Sequence, residues 1–288
     1  MTACSQKVDD HLKYLAQEPP SLSPKVFAPG LISKEAEYEF GSVFTEDATE
    51  FFYGVDVNGK SEIRYTSLTG TAWNEPQTIL SHEEYGYNDP FLSPDENRLY
   101  FISKMSLDRL SSKKDHDIWY VQKEGNKWSE PINAGPNINS NRNEYYISFT
   151  QTGTMYFSSD KITSEKKQNN FDIYSSISID GEFQKAIALS DSINTGNYEA
   201  DVFVDPEETY IIFCARRPEG LGKGDLYVSF KNNDGTWTKS INMGEKINTK
   251  DHELCPFVSK DGKYLFYTSN QDIYWVSSKI IDELKKSI

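Results

Sequence analysis

The sequence predicts an all-β fold, a five-bladed β-propeller closed by an N-terminal strand and followed by a short C-terminal helix. Three observations predict it. An Asp-(Ile/Leu)-aromatic step recurs along the chain, a polar hairpin turn precedes each copy, and an Ile-Asn-(Ser/Thr) link ending in a glutamate joins several of them. The step reads Asp117-Ile118-Trp119, Asp172-Ile173-Tyr174, Asp225-Leu226-Tyr227 and Asp272-Ile273-Tyr274, with a degenerate first copy at Glu62-Ile63-Arg64. Successive copies lie 55, 55, 53 and 47 residues apart, the kind of period that marks a repeat architecture.

Within each repeat, a turn between two apolar or aromatic runs gives a first hairpin: Thr45 to Phe51, Ser93 to Leu99, Thr150 to Met155, Asp205 to Ile211 and Ser259 to Leu265. A second turn ends on an aromatic at Trp73, Trp128, Phe183 and Trp237. Each repeat therefore holds four short strands, a to d, the unit of a propeller blade. The last copy runs out after its third strand. The stretch Val26 to Ile32 precedes the first strand a as strand d does elsewhere, so pairing it into the last blade removes an open edge. Residues 25–276 then form one propeller domain, residues 1–24 a polar, proline-containing tether, and residues 277–288 a helical tail with Ile280, Ile281 and Leu284 on one face.

The 288 residues carry a formal net charge of −14, which repels phosphate backbones and argues against a nucleic-acid partner. No apolar run is long enough to span a bilayer as a helix. Three cysteines are too few for a disulfide framework, and Cys214 and Cys255 sit in apolar strand-like runs as buried hydrophobes. Cys4, in Met1-Thr2-Ala3-Cys4-Ser5, matches the end of a bacterial lipoprotein signal and is the candidate lipidation site. Membrane attachment is expected only through that anchor.

Taken together, the link, the Ser-Pro-Asp turn, the Asp-Ile-Tyr step and the Gly-x-Trp turn resemble the WD40-like (PD40) repeats of TolB-type and outer-membrane-associated bacterial proteins. The resemblance spans roughly residues 26–276. It implies a propeller of the bacterial periplasm or an outer-membrane-anchored lipoprotein, a binding or scaffold module in many members and an enzyme in some. Copy three lacks the proline of the turn, and copy one lacks the aspartate of the step.

In a propeller, strand a lines the axis, and the d-to-a links and b-to-c loops share one face. Aligning the repeats sets Glu39, Glu144, Glu199 and Glu253 at one position, with Tyr87 there in blade two and Asn88-Asp89 beside it. A repeated residue in a repeated turn first implies capping of its own link. The functional reading gathers the carboxylates at one mouth of the channel, beside His252 and the loop cations Arg216 and Arg217, to bind a protein, peptide or glycan. A monomer and no cofactor are expected; converging carboxylates would suit a cationic ligand, sugar hydroxyls or a hard cation such as calcium. The histidines show no nucleophile-base ordering, and no cysteine-histidine spacing suits zinc. The alternative is a glycoside hydrolase using Asp89 with Glu144, Glu199 or Glu253, since five-bladed propellers host glycosidases with carboxylates around the axis. Asn233 to Trp237 lacks the spacing of a sialidase repeat.

Overall fold

The structure, a computed structural model, describes residues 9–125, 127–160 and 170–286. Five antiparallel blades follow one another in chain order. Their strands a are Tyr38–Phe44, Asn88–Leu92, Glu144–Phe149, Tyr198–Val204 and Leu254–Val258. Strands b and c pair outward from each, as in Tyr210–Arg216 and Asp225–Phe230 of blade four. Strand d is short, Ile241–Asn242 in that blade.

Blade five takes its outermost strand from the other end of the chain. Lys25 and Val26 pair with Trp275 and Tyr274, and the Phe27 N–H donates to the Ile273 carbonyl at 2.7 Å. The next side chain locks the junction: Phe27 is fully buried, with ring centroids 5.2 Å from those of Phe266 and Trp275 and 5.4 Å from that of Phe51. Burial on this scale contributes about 2–3 kcal/mol per aromatic ring.

Part of the segment whose composition reads as a tether packs against the propeller, although residues 9–11 are exposed. Tyr14 and Leu15 are buried, the Tyr14 ring meets Phe44 and Tyr264 edge-on at 5.1 and 5.0 Å, and Trp73 Nε1 donates to the Leu12 carbonyl at 2.7 Å. Proline-rich polarity concealed two apolar anchors. At the far end, the helix Lys279–Lys285 buries Ile280 and Ile281 with Leu284 packed beside them. Cys4 lies outside the described residues.

Candidate functional site

The link motif builds the ring before it builds any site. Asn139, Asn194 and Asn248 each use their amide to imitate a neighbouring strand, taking the N–H and feeding the carbonyl of one residue in strand c of the preceding blade. The partners are Ile118, Ile173 and Leu226, at 2.7–2.9 Å. One residue on, the hydroxyls of Ser140, Thr195 and Thr249 donate to Glu144, Glu199 and Glu253, whose second oxygens accept the backbone N–H of the same three residues. Strand b adds Ser159 to Glu144 and Ser269 to Glu253. Buried acceptors with several donors of this kind are costly to remove, at about 1–3 kcal/mol for each group left unpaired. Glu39 holds the closing link less completely: it accepts from the Lys34 N–H at 3.1 Å, while its other oxygen has no hydrogen-bond partner among the described residues. Burial, the largest cause, pushes its carboxyl up to about 7.

All four glutamates have no exposed surface, and none lines the channel mouth. The mouth is lined from a position two residues further on. In every blade, strand a breaks register at one residue in the left-handed region: Gly41 (φ 50°), Asp89 (51°), Tyr146 (43°), Asp201 (52°) and Cys255 (52°). A bulge turns the side chain it carries away from the strand's regular alternation. Four of these residues are not glycine, so the strain is held in place by the pairing on either side. At Gly41 the backbone approaches closely, since a Cβ there would sit 2.9 Å from Asp89 Oδ1 and 3.0 Å from Asp89 Cα.

Above the bulges lies a cavity of about 630 Å³ with Asp89, Asp201 and Cys255 on its lining. Its aromatic wall is Tyr38, Phe40, Tyr145, Phe171 and Tyr198; Asn88, Asn143, His116 and His252 add polar groups, and Asp56 and Ser61 complete them. Tyr146 is buried, donating its hydroxyl to the Pro256 carbonyl at 2.8 Å. Phe91, Phe203 and Phe257 fill the next tier, with Phe257 5.9 Å from Phe91 and 6.0 Å from Phe203.

Electrostatics single out the aspartates. Burial pushes the Asp89 carboxyl up to about 7, the Cys255 thiol partly offsetting it at 3.5 Å. Burial, with the charge of Asp89 added, pushes Asp201 up to about 8 against the opposing pull of Arg216. Both histidines are pushed down to about 4, chiefly by burial, so they are neutral imidazoles at neutral pH. His116 Nδ1 meets Asn143 Oδ1 at 3.2 Å and the Tyr145 hydroxyl at 2.8 Å, while His252 Nε2 lies 3.2 Å from Cys214 Sγ. Burial raises the thiols of Cys214 and Cys255 well above their ordinary value, which keeps them protonated and unreactive.

Of the residues singled out in the sequence, the cavity brings together Asp89 and His252. Arg216 is exposed, with its guanidinium 4.7 Å from the centroid of the Tyr198 ring. Arg217 faces inward instead, 3.6 Å from Glu199 and donating to Ser240 at 2.8 Å. The step aspartates knit blades: Asp225 accepts from the N–H groups of Leu221 and Gly222 and from Asn242 of strand d. Among the described residues, no three His, Cys, Asp or Glu side chains come together as a metal ion would require. Sequence reasoning missed Asp201, Tyr146 and Cys255. A signal was present, because Asp201 occupies in copy four the aligned position that Asp89 holds in copy two.

No protein-family profile and no curated protein matches the chain. Solved structures do. TolB from Acinetobacter baumannii superimposes with a TM-score of 0.52 at 15% identity, over 82% of this chain and 53% of its own, so the chain spans about half that protein's length. A Dyadobacter fermentans protein of unknown function gives 0.52 at 15% identity, covering 91% of this chain and 84% of that one. A gluconolactonase from Xanthomonas campestris gives 0.50 at 13% identity, covering 90% and 94%. At such identities the likeness shows the fold alone: a β-propeller shared with TolB-like and gluconolactonase-like structures.

Proposed function

We propose that the chain is a non-catalytic binding propeller that receives part of a peptide, protein or glycan ligand in the cavity at its channel mouth. One observation carries this reading: the cavity joins an aromatic wall to a few converging polar groups on a rigid ring, the usual composition of a ligand site. Supporting it, the carboxylates that a glycosidase reading would recruit from Glu144, Glu199 and Glu253 are engaged within their own links. Asp89 and Asp201, the two buried acids among the three on the cavity lining, are both pushed towards the neutral form, whereas acid-base cleavage needs environments that drive a pair apart. A bacterial envelope setting, with a lipid anchor at Cys4, rests on the repeat resemblance and the short cysteine motif. The acidic surface disfavours nucleic acid, and the chain acts as a monomer in this reading.

The test is a calorimetric screen of peptide and glycan libraries against the intact chain and Tyr198→Ala. A ligand whose affinity falls about tenfold in the variant, roughly the loss of one aromatic contact, supports the cavity as the site. Equal binding by both proteins, or turnover of a glycan that Asp89→Asn abolishes, overturns the reading.

A further inference from the structure

The two buried aspartates of the cavity lack the donors that Glu144, Glu199 and Glu253 possess. Asp201 is 8% exposed and lines the cavity, yet it has no hydrogen bond or ion pair among the described residues. Asp89 is 7% exposed, and its one polar partner among the described residues is the weakly donating Cys255 thiol at 3.5 Å. By contrast, Glu144 and Glu253 take three donors each and Glu199 two. A buried carboxyl without donors is unfavourable unless something brings charge to it.

We infer that the group seated between Asp89 and Asp201 is an organic cation, an ammonium or guanidinium carried by the ligand. The inference rests on the binding reading above and specifies its chemistry. Three features favour a cation over an anion or a neutral hydroxyl. Asp89 and Asp201 line one space with Asp56, its lining carries no lysine or arginine among the described residues, and the two histidines beside them are neutral. Tyr38, Tyr145, Phe171 and Tyr198 surround that space with rings, the companion that desolvated cations prefer. The protein's own Arg216 already lays a guanidinium over Tyr198, so this wall accepts one. A bare metal ion is less suited, because no third ligand joins the two acids among the described residues.

The decisive measurement uses matched small probes of the intact chain: agmatine and butylammonium as cations, butanol as the neutral analogue, butyrate as the anion and a methyl glycoside. Binding is followed by calorimetry and by chemical-shift changes of the Tyr198 and His252 rings. The cations are expected to shift both rings and to lose at least tenfold in affinity in Asp201→Asn, whose fold is checked by circular dichroism. Arg216→Ala, a change at an exposed side chain, is expected to tighten cation binding about two- to fivefold by removing a like charge. Butanol or the glycoside binding as tightly as agmatine, or Asp201→Asn leaving agmatine unaffected, overturns the inference while the cavity reading survives through its Tyr198→Ala dependence. Ring shifts with no probe at all overturn the inference, and with a silent peptide and glycan screen they end the cavity reading as well.

Discussion

At the scale of single residues, Asp201 makes a prediction separate from binding. Its carboxyl, like those of Asp89 and Glu39, is pushed above the ordinary carboxylate range in the folded chain, so folding favours the protonated form. Such a contribution is complete below the ordinary value, is lost as pH rises above it and is gone above about 7 to 8, while the two buried histidines, protonated only in the unfolded chain, oppose the loss chiefly below about pH 6.5. Thermal stability should therefore fall between about pH 6.5 and 8.5, each pK unit being worth about 1.4 kcal/mol and each kcal/mol about 2–4 °C. Asp201→Asn should flatten the slope and melt higher than the parent at the alkaline end, by differential scanning fluorimetry. A parent melting point that climbs across that range would contradict the assignment. His252 was legible as a candidate cavity residue because it neighbours the repeated link. Asp201 was not, since strict alternation puts it on the same face as Glu199, and only the register shift between Ala200 and Phe203 separates them.

At the scale of the strand, the bulge is the device that makes a site from a repeat. The links look alike in sequence because each must bind the blade before it, and the glutamates belong to that work. One residue type per blade is then free to vary at the bulge: glycine, aspartate, tyrosine, aspartate and cysteine in order. Only Gly41 announces an unusual backbone, so the sequence alone gives little hint of the other four. Gly41→Ala tests the arrangement. The new methyl would meet Asp89 at 2.9–3.0 Å with φ at 50°, so it should destabilise the protein by about 1–3 kcal/mol and weaken agmatine binding, by chemical denaturation and calorimetry. A substitution that leaves both unchanged would mean that the strand yields at this point.

At the scale of the whole molecule, period and closure were readable because hairpin turns and aromatic steps recur at fixed intervals, and a blade left with three strands demands a fourth. The packed leader was not readable, because Tyr14 and Leu15 are two apolar residues in a polar segment and make no period. Phe27→Ala should cost about 3–5 kcal/mol, since its ring fills the seam among Phe51, Phe266 and Trp275. A single lowered melting transition is the expected result. A loss below about 1 kcal/mol would show that the seam relies on the backbone pairing instead.

The clasp also orders events in time. Val26 leaves the ribosome before any of the five strands a, and its partner Tyr274 follows the first four blades. Until then Phe27 has no seat in the last sheet and Lys25–Val26 have no strand to pair with. The circle therefore stays open while the first four blades are made, and shuts when the fifth is delivered.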